Sequence, residues 1–138
     1  MKYLSLVRLL AIVAFGLLSS CSEKDESSIL KEFEKGPIAA LNDKENLKKL
    51  DWAGYAKWSY NVEKTDSLVS PYTATINGVA SPSGTKLKIL MAYQDDKWVF
   101  KEEGYFGSIT GEKWINVKKD QISSPERLQA IESLFETN

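Results

Sequence analysis

Residues 85–93 read TKLKILMAY, and this stretch decides the fold. Apolar side chains occupy every second position from Leu87 to Tyr93, which is the period of a β-strand that buries one face. The opposite face begins with lysines and becomes apolar at Leu90 and Ala92. A strand that is apolar on both faces along part of its length lies inside a sheet rather than at its edge. The stretch therefore predicts the central strand of a β-sheet.

Strand patterns continue on both sides of this segment. Aromatic and aliphatic residues alternate with polar ones over residues 58–63 and again over 69–76. The alternation resumes over residues 97–101, after the polar stretch 94–97, and a last short strand is expected over 114–117. Neighbouring strands separated by short polar connections pair as antiparallel hairpins. We therefore expect an antiparallel meander of about four or five strands.

Turn chemistry occurs between the predicted strands. Ser81-Pro82-Ser83-Gly84 has proline at the second position of a turn and glycine at the fourth. Asn77-Gly78, just upstream, is an alternative tight turn or a β-bulge. Three glycines between residues 102 and 113 predict a loop, from which Ile109 is expected to fold back onto the body of the domain.

Helical patterns precede the strands. Ser28 is predicted to cap a helix that runs to Lys35, and Pro37 is predicted to interrupt it because proline lacks the amide donor. A second helix is expected to end at Leu50 and to begin at either Pro37 or Asn42.

A C-terminal helix completes the predicted architecture. Ser124-Pro125-Glu126 is a helix start, with a capping hydroxyl, a proline in the first turn and an acid near the positive end of the helix dipole. Strands framed by helices predict an α+β domain whose antiparallel sheet is covered by N- and C-terminal helices. A small β-barrel with peripheral helices is the alternative.

Composition excludes several classes of function. The chain has 138 residues, no His, one Cys and a formal net charge of −1. A His-based triad, a His metal site and a basic nucleic-acid footprint are therefore not expected. The adjacent acids Asp95-Asp96 and Glu102-Glu103 are predicted to be solvated surface groups, since strand neighbours point to opposite faces. No catalytic, cofactor or metal site is predicted, so a non-enzyme is expected.

Aromatic residues are divided between the predicted core and a candidate recognition site. Tyr105 and Phe106 fall in the predicted glycine-flanked loop, where partner-contact residues often lie, and recognition and core packing both stay open for them. The side chains predicted to fill the core on the strands are Trp58, Tyr60, Trp98 and Phe100.

The N-terminal 20 residues have the pattern of a signal peptide. Lys2 and Arg8 are the only charged residues, and an apolar run covers residues 9–18. That run has ten residues, whereas crossing a bilayer takes about 20. A transmembrane anchor is therefore the weaker interpretation.

Leu18-Ser19-Ser20-Cys21, at the end of this run, resembles the lipobox of bacterial lipoproteins. The resemblance implies that Cys21 is acylated and becomes the first residue of the mature chain, anchored to membrane lipid. Ser22 after the cysteine implies the outer membrane in a Gram-negative host, with the chain in the periplasm or cell envelope. A Gram-positive host implies the outer face of its single membrane. An ordinary secretory signal is the alternative.

Domain boundaries and function follow as expectations. Residues 1–20 form the removed signal, residues 21–28 the lipidated cysteine and a flexible tether, and residues 29–138 one globular domain. We expect a non-catalytic interaction module of the envelope whose partner is an envelope protein or peptidoglycan and not nucleic acid. The alternative is a carrier or sensor of a small apolar ligand, held in a cavity lined by Trp and Tyr between the helices and the sheet.

Overall fold

An antiparallel sheet with helices before and after it is the architecture of residues 25–136, the part of the chain that the computed structural model describes. Two compact units are distinguished, one ending at Glu32 and the other beginning at Phe33. The predicted α+β class is confirmed, and the alternative of a closed barrel is wrong because the sheet is open. Cys21, the predicted signal peptide and most of the predicted tether lie outside the described residues.

Five strands form one sheet in the order in which they occur along the chain. Each pairs with its neighbour in antiparallel register, and the third strand lies in the middle, as its apolar faces predict. The strands are β1 (Tyr55–Lys64), β2 (Tyr72–Ala80), β3 (Lys86–Gln94), β4 (Lys97–Phe106) and β5 (Ile115–Lys118).

The connections match the predicted turns in two places. Asp95 and Asp96 join β3 to β4 with φ angles of 52° and 62°, the left-handed conformation of a tight hairpin turn that suits the twist of the strands. The Ser81–Gly84 loop joins β2 to β3 and is closed by the amide of Ala80, which donates to the Thr85 carbonyl at 2.8 Å. Both connections keep adjacent strands in hairpin register.

Asn77-Gly78 does not form a turn but lies opposite a β-bulge in the neighbouring strand β1. These two residues lie inside β2, and β1 places Lys57 and Trp58 opposite Gly78, so two residues face one. Lys57 has a φ of 55° at this point. The Trp58 ring covers Gly78 so closely that a β-carbon there would lie 2.6 Å from Cζ3 of the ring. Glycine is therefore required by the aromatic ring above it.

The N-terminal helical segment differs from its prediction. Helix α1 (Glu26–Phe33) begins two residues before Ser28, because the Asp25 carboxylate accepts the Ser28 amide at 2.8 Å and caps it. Pro37 does not interrupt the segment. It lies in a π-helical turn (Glu34–Ile38), in which the Ala39 amide reaches back five residues to the Glu34 carbonyl. The wider turn accommodates a residue that has no amide to donate.

Two short helices and a C-terminal helix complete the fold. Helices α2 (Ala39–Asn42) and α3 (Lys44–Leu47) are separated by Asp43, whose side chain accepts the Glu45 amide at 3.0 Å. Helix α4 (Pro125–Glu136) starts as predicted, and the Ser124 hydroxyl accepts the Arg127 amide at 3.2 Å. None of the helices between residues 25 and 136 has both the length and the apolarity needed to cross a membrane.

An aromatic core lies on one face of the sheet, between the sheet and α4. Trp52, on the turn before β1, is fully buried and has its ring centroid 6.3 Å from that of Phe100. Phe135 of α4 stacks on Phe100 with an interplanar angle of 12°. Phe33 packs edge-on against Trp98 at 4.7 Å. Elements distant in sequence are thus joined by ring contacts, and we call this side of the sheet the covered face.

Two of the four strand aromatics predicted for the core are buried. Trp98 and Phe100 are 5% and 3% exposed, which confirms the prediction for both. Tyr60 is 36% exposed and Trp58 is half-buried, so the prediction is wrong for this pair. Both residues lie on β1, which is an edge strand with a neighbouring strand on one side only, so their side chains are less covered.

Candidate functional site

The two predicted partner-contact residues lie on a strand and not in a loop. Strand β4 runs through Gly104 to Phe106, so the predicted loop begins only at residue 107. Because neighbours in a strand point to opposite faces, Tyr105 lies on the covered face and Phe106 on the opposite one. The structure therefore places the two residues on opposite faces of the sheet.

The face of the sheet opposite the core is accessible along most of its length, and we call it the open face. Its side chains are exposed or half-buried, apart from Ala92 and Gly104. It includes a run of hydroxyl and amide side chains on β2 and lysines on β3, β4 and β5. This face is the accessible surface on which Phe106 lies.

Two aromatic rings and two lysines form a cluster at one end of the open face. The Phe106 and Trp114 ring centroids are 5.5 Å apart. Lys88 Nζ lies 4.2 Å from the Trp114 centroid, and Lys86 Nζ lies 5.5 Å from that of Phe106. An ammonium group at these distances from a ring face is attracted by the π electrons. We call these four residues the open-face patch.

A glycine on β4 makes room for the open-face patch. A β-carbon at Gly104 would lie 2.5 Å from Oδ1 of Asn116 and 3.4 Å from the Trp114 ring. The side chains of β5 therefore lie directly over the β4 backbone at this point. The glycine pattern predicts a loop at this position, whereas the close approach of neighbouring side chains over the strand is what requires the glycine.

The loop after β4 is held by hydrogen bonds and presents an apolar residue to solvent. The Glu112 amide donates to the Gly107 carbonyl at 2.9 Å, and the Thr110 hydroxyl accepts the Gly107 amide at 3.0 Å. Ile109, within this loop, is 93% exposed. The prediction that Ile109 folds back onto the domain is therefore wrong, because the polar groups of the loop bond to one another and hold it outward.

A polar cluster lies on the covered face, built around a buried carboxylate. Glu103 is 3% exposed, and its two oxygens accept from Nη1 and Nη2 of Arg127 at 2.6 and 2.7 Å. The Tyr105 hydroxyl accepts from Arg127 Nη2 at 2.9 Å and from Trp52 Nε1 at 3.0 Å, and donates to Glu103 at 3.2 Å. Asp51 accepts from Arg127 at 3.0 Å. These five residues form the Glu103–Arg127 cluster.

The environment of this cluster fixes the protonation of two members. Burial, and then the charge of Glu103, raise the pKa of Tyr105 well above its ordinary value. Burial alone would lower the pKa of Arg127, but its hydrogen bonds to Glu103 and its attraction to the surrounding acidic groups outweigh this and raise it. Tyr105 therefore keeps its proton and Arg127 its charge near neutral pH. The cluster is suited to joining α4 to the sheet rather than to exchanging protons.

The prediction for Glu102-Glu103 is half wrong. A second bulge, at Lys101 of β4, shifts the alternation by one residue, so that Glu103 instead of Glu102 follows Phe100 on the covered face. Glu102 lies on the open face opposite Lys118 of β5. Asp95 and Asp96 are exposed, as predicted. Among the described residues, no group of three or more His, Cys, Asp or Glu side chains has the geometry of a metal site.

No protein-family model, curated protein or solved structure matches this chain.

Proposed function

We propose that this chain is a lipid-anchored, non-catalytic interaction domain of the bacterial cell envelope, and that it contacts its partner through the open face of its sheet. The observation that carries the choice of surface is the open-face patch, where lysine and aromatic side chains are clustered and accessible. Aromatic side chains are enriched at recognition surfaces, and the lysines beside these rings add positive charge that an acidic partner would meet.

The anchor is supported by the Leu18-Ser19-Ser20-Cys21 sequence, and the start of the first helix limits how far that helix lies from the anchor. Helix α1 begins at Glu26, so five residue steps separate the helix from Cys21. Five extended steps span at most roughly 17 Å. An acyl group on Cys21 would keep the start of the helix close to the lipid surface, and the partner of the domain is expected there.

A binding surface is better supported than a ligand cavity. The carrier hypothesis needs a space between helices and sheet that is lined by Trp and Tyr. In the described part of the chain, these side chains instead pack against other rings: Trp52 against Phe100 and Phe135, and Trp98 against Phe33 and Tyr93. Filled ring contacts of this kind stabilise a core and leave little volume for a ligand.

Site-specific photo-crosslinking in cells tests the proposed surface. A photoreactive amino acid replaces Asn116 on the open face of the full-length chain, and a matched control replaces Gln129, which is exposed on α4. We expect ultraviolet light to produce adducts from position 116 and few from position 129. Equal adducts from both positions, or adducts from position 129 alone, would contradict the choice of the open face.

A further inference from the structure

Charge is distributed unevenly between the open face and the rest of the domain. The open face has five lysines and two glutamates on its strands, a net charge of +3. The remainder of residues 33–136 has nine basic and thirteen acidic residues, a net charge of −4. The charged residues of the open face are Lys86, Lys88, Lys97, Lys101, Lys118, Glu63 and Glu102.

Exposed apolar side chains lie at the same end of the sheet as the open-face patch. Ile109 and Trp114 are 93% and 36% exposed, and both lie in the loop between β4 and β5. The loop is shaped by its own hydrogen bonds, so Ile109 is presented without help from a partner. A projecting isoleucine at the same end of the sheet as Trp114 and Lys88 combines an apolar tip with a cationic surface.

We propose that the open face and this loop dock on the surface of an anionic lipid bilayer. Lysines near such a surface are attracted by its negative potential, and tryptophan prefers the boundary between headgroups and acyl chains. The acidic remainder of the domain is repelled by the same surface, so the charge distribution selects one orientation. The inference rests on the proposed function, because it names the partner of the same open face.

The shape of the apolar tip favours a bilayer over an acidic protein. Ile109 projects from a loop and is almost fully exposed. A protein partner must offer a matching pocket for a projecting side chain, whereas the headgroup region of a bilayer accepts one without a preformed cavity. The lysines, whose ammonium groups lie over the Phe106 and Trp114 rings, are then at headgroup level.

Fluorescence quenching in vesicles tests the docking. The full-length lipidated chain is placed in vesicles of phosphatidylcholine, or of an equimolar mixture with phosphatidylglycerol, both containing brominated lipid. Trp114 is the most exposed tryptophan, since Trp52 and Trp98 are buried and Trp58 is half-buried. We expect stronger quenching in the anionic vesicles, reversal by high salt, and loss of the difference in Trp114→Phe.

Charge variants with a matched control sharpen the test. Each lysine lost from an anionic surface should lower the ratio of docked to undocked protein by about fivefold. We expect the double variant Lys86→Gln with Lys88→Gln to lower this ratio by about that factor for each lysine. Ile109→Ser should lower the ratio further, and its site is too exposed for the change to affect folding. Lys44→Gln with Lys49→Gln removes the same charge from exposed positions in α3 and in the turn after it, and should leave the quenching unchanged.

The docking proposal and the acyl-anchor proposal are tested by different measurements. Vesicle flotation reports the anchor, and the Trp114 signal reports the docking. If the chain floats with both vesicle types but its quenching is the same in each, or if the control pair lowers quenching equally, the docking proposal is overturned. Crosslinks from Asn116 to a protein instead of to lipid would also overturn it. Flotation that requires phosphatidylglycerol would support docking while contradicting the acyl anchor.

Discussion

Glu103 and Arg127 illustrate how a single buried charge constrains its surroundings. The Glu103 side chain is 4% exposed, and a carboxylate removed from water is costly unless its oxygens are paired. Arg127 supplies both hydrogen bonds in a planar, bidentate arrangement, and Tyr105 adds a third. Every buried side-chain polar atom in the described residues has a partner. The stability of the cluster thus depends on the buried oxygens of Glu103 staying paired.

Removing the guanidinium should destabilise the fold strongly. In Arg127→Met the Glu103 carboxylate stays buried without its partner, and we expect the free energy of unfolding to fall by about 3–5 kcal/mol, as measured by urea denaturation. Asp51→Asn is the control, because the Asp51 side chain is 63% exposed, and it should cost less than about 1 kcal/mol. Adding Glu103→Leu to Arg127→Met should restore much of the loss. Equal effects of the Arg127 and Asp51 variants would contradict the assigned importance of Glu103.

Tyr105 should make the fold sensitive to alkali. Its pKa is raised in the folded state, so above about pH 10 the unfolded chain loses the proton while the folded chain keeps it. The free energy of unfolding should therefore be unaffected by this group below pH 10 and should fall as the pH rises beyond it. Urea denaturation at several pH values between 9 and 11 measures this decline. Tyr105→Phe should show a shallower decline than the wild type, and parallel curves would refute the assignment.

Bulges at the level of the strands decide which side chains meet. In β4 the extra residue at Lys101 places Glu103 and Tyr105 on the covered face, where strict alternation from Phe100 would have placed Glu102. In β1 the extra residue, Lys57, precedes Trp58, and the Trp58 ring lies over Gly78 of β2. Because a bulge inserts one extra residue, every later side chain of that strand points to the opposite face of the sheet from the one that simple alternation predicts. Side-chain placement beyond a bulge is therefore not readable from alternation alone.

The contact between Trp58 and Gly78 should show in a pair of glycine variants. Gly78→Ala puts a methyl group 2.6 Å from the ring, so the ring must move, and we expect a loss of about 1–3 kcal/mol in urea denaturation. Gly54→Ala is the matched control, because a β-carbon there meets nothing within 4 Å. In a Trp58→Ala background, Gly78→Ala should cost much less. If the cost is the same with and without the ring, the proposed clash is not its cause.

Sequence patterns predicted elements better than they predicted contacts. The strands were predictable because alternation over 85–93 and its neighbours is a local signal, and Ser124-Pro125-Glu126 marked the start of α4 for the same reason. The π-helical turn around Pro37 could not be predicted, because no residue pattern distinguishes its wider hydrogen-bond spacing from that of an α-helix. The pairing of Glu103 with Arg127 joins residues 24 positions apart, so it depends on how α4 packs.

For the whole molecule, charge and anchoring act together in the proposed function. Removal of residues 1–20 takes away two positive charges and leaves 16 basic and 19 acidic residues, a net charge of −3. An acidic chain is repelled from an anionic membrane on average, so a covalent lipid would be needed to hold it there for long. The cationic open face would then determine which side of the domain faces the lipid.

Replacing the only sulfhydryl group tests the anchor directly. Cys21→Ser keeps the size of the side chain but removes the atom that forms the thioether. We expect the intact mass to lose the diacylglycerol and the protein to leave the membrane pellet of fractionated cells. Ser20→Ala keeps a small residue before the cysteine and should behave as the wild type. An unchanged mass and an unchanged pellet in the serine variant would refute acylation at this position.

Strand β1 lies at the end of the sheet and is ten residues long, so it presents a row of backbone groups to any strand that approaches it. Copies of a protein confined to one surface meet far more often than copies in solution. The left-handed residue Lys57 breaks that row, and the charged side chains of Glu63 and Lys64 flank its far end. Such interruptions prevent strand-to-strand fusion of neighbouring molecules. The bulge that positions Trp58 would therefore also help crowded copies to stay separate.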